Sequence, residues 1–296
     1  MLTTRSGKDR NMYHMIGHEA CFRNVVLFAT THASASFDSL ATLKVAYIGA
    51  LKQVQPSVPT EVTTQPVVVT DPVRELDLMR LYQLESRLND KDQQRIFAER
   101  QLPDEARTQR LAALSSRIEI FREAHPGFFR LFDLAINQII CPGSDRAGGG
   151  STSAGVGIIW VNEKPHWTQR DILELLIHEL TYNLMFLDEL CFGHYRDYEL
   201  MTRPEAFAQS AILRQRRPLD KAFHSLIVAV EVLLARGAMP LPPGEPRLHP
   251  TNDRLRQQAL ESAASIGALD ERTEILTDRG RALLGKACRL LARLLA

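Results

Sequence analysis

The chain has little cysteine, no excess of either charge and no long apolar run. Its 296 residues include four cysteines without a C-x-x-C pair, which indicates free thiols in a reducing compartment rather than disulfides. Lys and Arg number 36 against 35 Asp and Glu, so no global field draws the chain to nucleic acid or to an acidic membrane. It has no apolar run of about 18 residues and no apolar secretory segment near its start. We therefore expect a cytoplasmic protein that binds neither nucleic acid nor membrane.

Hydrophobic residues make up 45% of the sequence, which is enough for a sizeable buried core. A Pro-, Thr- and Val-rich segment, Pro56 to Pro72, predicts a linker or an extended stretch. We expect a helical N-terminal region over residues 1–125 and a core with C-terminal helices over 126–296, which could form one continuous domain. Apolar periodicity and charge predict helices over 37–54, with Ser36 or Asp38 as its cap, over 73–100 and over 103–124.

A Gly-rich segment, residues 143–157, lies ahead of a β-branched segment, 156–163, that predicts a strand. The glycines lack the Gly-Lys-Ser/Thr ending of a phosphate loop, so we predict a mobile surface loop. The strand could pair with an extended peptide by β-augmentation.

The best-defined element is a helix from about Gln169 to Leu190. Thr168 and Asp171 form a capping-box pattern, and Trp167 and Ile172 have the spacing of a hydrophobic staple. Further helices are predicted around Pro204 to Arg214, from Pro218 to Arg236, and as a pair over 251–296.

The middle of the 169–190 helix carries His178-Glu179-Leu180-Thr181-Tyr182. In an H-E-x-x-H helix, histidines at i and i+4 share a face and bind one metal ion, with the glutamate beside them as general base. Here tyrosine occupies the position of the second histidine. Another histidine, His224, lies among apolar residues of the 218–236 helix, where its imidazole needs a partner such as a backbone carbonyl or a metal ion.

Two blocks, IHELTYNLMFLDEL and RPLDKAFHSLIVAVEVLLAR, resemble a family of bacterial HExxH-motif proteins that occur beside ribosomally made peptide natural products. The resemblance covers roughly residues 155–236. Members of this family are proposed to be iron- and 2-oxoglutarate-dependent hydroxylases that modify aspartate in a peptide at its β-carbon. The resemblance implies that His178 and His224 are metal ligands, that Tyr182 takes the position of the remaining ligand, and that Glu179 is the catalytic carboxylate of the motif.

The tyrosine changes what the site can bind. A phenol, with a pKa near 10, must lose its proton to bind a metal well, and tyrosinate suits ferric iron better than ferrous iron or zinc. Either the site still binds an ion, with Tyr182 as an oxygen ligand or with a downstream carboxylate in its place, or the site is impaired and only binds a peptide, or Tyr182 is an isolated lesion in an otherwise active lineage. The candidate carboxylates are Asp188, Glu189, Glu199 and Glu205.

Other residues near the motif are candidates for substrate or cofactor contacts. If 2-oxoglutarate binds, a guanidinium fork suits its distal carboxylate, and Arg217 is our choice from the run of Arg214, Arg216 and Arg217. His194 and Tyr195 lie just beyond the motif helix and could line the site.

We expect an α+β, mainly α-helical fold with a zincin-like metal-binding helix core and a small β-sheet. The expected function is that of a metal-dependent oxygenase that hydroxylates a peptide or protein substrate with Fe(II) and 2-oxoglutarate. One alternative is a zinc metallopeptidase of the zincin type, in which Glu179 activates zinc-bound water. The other is a catalytically impaired, peptide-binding homologue.

Overall fold

The computed structural model describes residues 17–33, 37–83, 104–142, 148–239 and 241–294. Over these ranges the chain is mainly helical with small sheets, which confirms the α+β, mainly α-helical class. The helices of eight or more residues in the described ranges are α1 (His18–His32), α2 (Leu40–Val54), α3 (Pro72–Gln83), α4 (Asp104–Ala124), α5 (Pro126–Ala135) and α6 (Gln169–Phe192). They continue, after the short α7 (Tyr198–Met201), with α8 (Leu219–Ala238), α9 (Asn252–Thr273) and α10 (Asp278–Arg293).

Four short strands form one sheet, in the order β1-β2-β4-β3. They are β1 (Val67–Val68), β2 (Gln138–Ile140), β3 (Gly149–Ser151) and β4 (Ile158–Val161). β4 pairs parallel with β2 and antiparallel with β3, so both of its edges are occupied. The expectation that this segment pairs with a peptide is therefore wrong. β5 (Ala208–Gln209) and β6 (Arg216–Arg217) form a separate antiparallel ribbon.

The Gly-rich segment contributes to the sheet instead of forming a mobile surface loop. A Cβ atom at Gly148 would lie 1.9 Å from Trp167 Cη2, and one at Gly149 would lie 2.5 Å from Leu175 Cδ1. Side chains at these positions would prevent β3 from lying against α6. The loop prediction is thus wrong over residues 148–157, and residues 143–147 lie outside the described ranges.

The helix that carries the motif begins where the sequence predicts. The Thr168 hydroxyl accepts a hydrogen bond from the Asp171 amide, and the Asp171 carboxylate accepts one from the Thr168 amide, which confirms the capping box. Asp171 also accepts hydrogen bonds from the amides of Arg247 and Leu248, at 2.6 and 2.9 Å. These bonds hold the segment after α8 across the start of α6.

Several predicted boundaries need correction. The predicted 37–54 helix begins at Leu40, and its capping residue is Ser39 rather than Asp38; Ser36 is outside the described ranges. The predicted helix around 204–214 is wrong, because this segment forms a 3-10 turn (Pro204–Ala206) and then β5. The Ser225 hydroxyl of α8 accepts a hydrogen bond from the Ala211 amide and so binds this segment to α8. Of the predicted 73–100 helix, α3 is seen, and residues 84–103 are outside the described ranges.

The predicted N-terminal region contacts the predicted core region, including the motif helix. α1 contacts α6, and β1 pairs with β2, which belongs to the predicted core region. The division at residue 125 stays a prediction. The predicted C-terminal pair is confirmed as α9 and α10, and α10 buries Leu283, Ala287 and Leu291 against the core. No helix in the described ranges is long and apolar enough to span a membrane.

Candidate metal centre

The packing of α6 against α8 brings aromatic and imidazole rings into contact. His178, Tyr182 and Phe186 lie one turn apart on one face of α6. The Tyr182 ring stacks on His178 with centroids 5.2 Å apart, and it also makes a tilted contact of 6.0 Å with Phe186 and an edge-to-face contact of 5.4 Å with His224 from α8. His224 also lies 5.1 Å from Phe186, so it is displaced along α6 from His178 toward the C-terminal end.

His178, which is partly buried, ends a hydrogen-bonded chain of buried groups. Its Nδ1 lies 3.0 Å from His249 Nε2, and His249 Nδ1 lies 3.2 Å from Glu174 Oε2. Arg236 donates two hydrogen bonds to the same carboxylate, at 2.8 and 2.7 Å. Burial alone would raise the pKa of Glu174, but the hydrogen bonds from His249 and Arg236 lower it to about 2. These contacts occupy Nδ1 of His178 and leave its Nε2 as the ring nitrogen outside the chain.

Glu179 points to the sheet, where it is buried. Its Oε2 accepts a 2.7 Å hydrogen bond from the Ser151 hydroxyl of β3, and the same hydroxyl accepts one from Asn183. Burial raises the pKa of Glu179 to about 8.

His224 has no ordinary partner for its ring. It is 1% exposed, and neither of its nitrogens makes a hydrogen bond with any described residue. Burial, the ammonium group of Lys221 and the His194 ring lower its pKa well below the usual value, so the ring is neutral. A neutral, dry imidazole with an unshared lone pair is the condition in which histidine binds a metal ion.

Two further donor groups approach His224 from the end of α6. Glu189 Oε2 lies 3.9 Å from His224 Nε2 and 3.9 Å from His194 Nδ1. One potential ligand atom from each of the three residues lies within 4.8 Å of the others, and His178 is not a member of this group. His194 and His224 are buried, whereas the Glu189 side chain is 18% exposed. The donors present therefore fit the divalent ion that the family resemblance implies.

The other predicted site residues have different surroundings. Arg217 lies in β6, where it is 9% exposed and pairs with Ala208 of β5. Of the candidate carboxylates, Asp188 is fully buried in a hydrogen-bonded network, Glu199 forms an exposed ion pair with Arg203, and Glu205 is exposed. Only Glu189 among the four joins the group around His224 in the described ranges.

Comparison with known proteins adds no relative. No family of known proteins matches this chain, and no curated protein matches it. The assignment of the site accordingly depends on the geometry of its residues.

Proposed function

We propose that this protein is a metal-dependent oxygenase that hydroxylates a peptide, using Fe(II) and 2-oxoglutarate. The observation that carries the proposal is the buried imidazole of His224, whose two nitrogens have no hydrogen-bond partner among the described residues. A buried polar group without a partner costs free energy, which a bound ion would recover. The ion would be held where α6 and α8 meet.

Two sets of protein groups surround this position. The first is the ligand set that the sequence predicts, which consists of His178, Tyr182 and His224. In this set His178 Nδ1 contacts His249, which in turn contacts Glu174, so its Nε2 is the nitrogen left to bind an ion. Glu189 and His194 form a second set with His224. Two imidazoles and one carboxylate, with open positions for other ligands, are typical of ferrous oxygenases.

Bound iron would supply the positions at which 2-oxoglutarate and dioxygen react. One oxygen atom enters a peptide C–H bond, and the other enters 2-oxoglutarate, which loses carbon dioxide and becomes succinate. The chain itself supplies a cation for the cosubstrate. Arg217 remains the predicted partner of its distal carboxylate.

The state of Glu179 favours an oxygenase over a zinc peptidase. A peptidase of this type needs an ionised glutamate that takes a proton from metal-bound water. The Glu179 carboxyl group instead lies on the sheet side of α6, where it accepts a 2.7 Å hydrogen bond from the Ser151 hydroxyl of β3. An oxygenase does not need this base, so Glu179 would instead link α6 to β3. We extend the proposal to a zincin-like arrangement, in which the motif helix lies against an antiparallel outer strand.

The experiment that tests this function measures succinate and peptide mass together. The full chain is incubated with Fe(II), 2-oxoglutarate, ascorbate and a pool of synthetic aspartate-containing peptides. We expect succinate together with a peptide mass gain of one oxygen atom, both lost in His224→Asn. A Tyr182→His variant is included as a positive control for activity, because it places a histidine where the family that the chain resembles has one.

The alternatives give different results in the same samples. Cleaved peptides without succinate, abolished by Glu179→Gln and dependent on zinc, would favour the peptidase. Peptide binding without succinate in either the natural chain or Tyr182→His would indicate a non-catalytic binding protein and would contradict the proposal. The four free cysteines fit a reducing cytoplasm, where we place the reaction.

A further inference from the structure

Near the end of α6, three side chains bring potential metal-ligand atoms close together. The atoms are Glu189 Oε2, His194 Nδ1 and His224 Nε2, and Glu189 lies 3.9 Å from each nitrogen. Neither nitrogen has a hydrogen-bond partner in the described part of the chain. His194 Nδ1 and His224 Nε2 are therefore buried polar atoms that lack a hydrogen bond within the described ranges.

His194 is held so that its Nδ1 is the acceptor. Its Nε2 lies 2.8 Å from Asp188 Oδ2, and Arg279 and Asn24 donate to the same carboxylate. Because Arg279 forms an ion pair with the Asp188 carboxylate, that carboxylate is placed to accept the proton of His194 Nε2. The remaining nitrogen, Nδ1, lies 3.9 Å from Glu189 Oε2 and has no hydrogen-bond partner in the described ranges. A carboxylate behind a histidine is the arrangement that orients metal-binding imidazoles.

The spacing of the three atoms decides between a shared proton and a shared ion. A proton bridges a nitrogen and an oxygen that are about 2.7–3.2 Å apart, which 3.9 Å exceeds. Two bonds of about 2.0–2.2 Å to one ion can span up to about 4.4 Å. Neighbouring donors around such an ion usually lie about 3.0–3.6 Å apart, so each of the two Glu189–imidazole separations would have to shorten by about 0.3–0.9 Å on binding.

Access to this group is from the Glu189 side. Both imidazoles are buried, whereas the glutamate side chain is 18% exposed, and its Oε1 accepts a hydrogen bond from the half-exposed Tyr198 hydroxyl. Lys221 pairs at 3.2 Å with Asp220, its own neighbour in the chain. A divalent ion therefore has an entry, a carboxylate to neutralise it and two nitrogen ligands.

We propose that Glu189, His194 and His224 are the protein ligands of a divalent transition-metal ion, and that His178 and Tyr182 are not. The inference rests on the proposed function only in that it concerns the same ion at the same histidine. It accounts for the tyrosine in the motif: the ion would be held about one to two helical turns beyond the H-E-x-x-Y sequence, by a set that needs no phenolate. Two nitrogens and a carboxylate suit Fe(II), Co(II) or Zn(II).

The test uses Co(II) as the probe on the full chain after chelator treatment. Stoichiometry and Kd are measured by calorimetry, and the visible Co(II) spectrum reports the ligands. We expect one ion per chain in the natural protein, in His178→Asn and in Tyr182→Phe. In Glu189→Gln and His194→Asn we expect affinity to fall by at least about 100-fold, with a changed spectrum. His178→Asn and His224→Asn form a matched pair, and only the second should lose the ion.

Circular dichroism separates ligand loss from unfolding, and Glu189→Gln is the safest variant because its side chain is partly exposed. If His178→Asn and Tyr182→Phe lose the ion while Glu189→Gln retains natural affinity, the ligand assignment is overturned and the proposed function stands. If the natural chain binds no Co(II), both the assignment and the proposed function are overturned.

Discussion

The Ser151 hydroxyl donates a 2.7 Å hydrogen bond to Glu179 Oε2, and this bond joins the outer strand β3 to the middle of α6. The contact exists because β3 is built from small residues. Since Gly149 faces Leu175 and Glu179, any side chain there would separate the strand from the helix. The position of the motif glutamate is therefore set by glycines that precede it by about thirty residues.

Gly149→Ala should destabilise the protein by about 1–3 kcal/mol, the usual range for overpacking, because the new Cβ would lie 2.5 Å from Leu175 Cδ1. The measurement is the free energy of unfolding from urea titration. Gly267→Ala is the matched control: nothing lies within 4 Å of its Cβ in α9, so alanine should stabilise the helix by up to about 1 kcal/mol. Equal effects of the two substitutions would contradict the packing of β3 on α6.

Glu174→Gln should lower the free energy of unfolding by about 3–5 kcal/mol, because Arg236 would remain as a buried charge without its carboxylate. The same variant should release His249 and broaden the His178 imidazole signals in a ¹⁵N NMR spectrum. Glu199→Gln, which breaks the exposed pair with Arg203, is the control and should leave stability unchanged within error. A Glu174→Gln protein as stable as the control would show that the buried chain is not formed.

Lys44 should make stability increase with pH above neutrality. Its buried ammonium group donates to the carbonyls of Leu134 and Ile136, and burial, opposed by Asp133, lowers its pKa to about 7 from 10.5 in an exposed lysine. The folded state thus binds fewer protons than the unfolded state between these values. The difference in unfolding free energy between the natural chain and Lys44→Met should rise by up to about 1.4 kcal/mol per pH unit from pH 7 to 9.5, and be flat below pH 6. A difference that is constant from pH 6 to 9.5 would contradict the shifted pKa.

Local sequence patterns were sufficient to predict helices that have a clear capping motif or a regular apolar stripe. The Thr168–Asp171 capping box and the apolar spacing that follows predict α6, and the structure extends it only two residues beyond Leu190, to Phe192. The stripe of Leu111, Leu114, Ile118 and Phe121 predicts the buried face of α4, and all four are buried. In both cases the interactions that form the element lie within a few turns of sequence.

Tertiary contacts decide the elements that sequence alone misassigned. The glycines of β3 look like a loop because their role depends on Trp167 and Leu175, which come later in the chain. Residues 208–217 form a ribbon because α8 and α9 provide it with a surface and hydrogen bonds, including one from the Gln209 amide to the Ser265 hydroxyl.

The candidate site was found only in part for the same reason. His224 is recognisable as a histidine on an apolar helix face, and Glu189 and His194 were among the possible groups. Their convergence depends on the turn at Gly193, with φ of 66°, and on the Asp188–Arg279 ion pair between α6 and α10. Neither the turn nor the ion pair leaves a periodic pattern in the sequence from which it could be predicted. His249 and Glu174 were missed, because they are distant in sequence and meet only where the segment after α8 crosses α6.

Asp188→Asn should weaken metal binding about 10- to 100-fold without removing a ligand. The amide can still contact His194 Nε2, but it lacks the negative charge that strengthens the binding of a metal ion by His194 Nδ1. The Kd for Co(II), measured by calorimetry, checks this, with Asp253→Asn on the exposed start of α9 as control. Unchanged affinity in Asp188→Asn would mean that His194 is not a ligand.

The most direct measurement is the iron content of the protein expressed in iron-supplemented medium and purified without oxygen or chelator. The natural chain and His224→Asn are compared by elemental analysis, with circular dichroism confirming that both are folded. We predict about one iron per natural chain and less than about a tenth of that in the folded variant. Natural protein without iron, or a folded His224→Asn protein with the same iron content, would contradict the account.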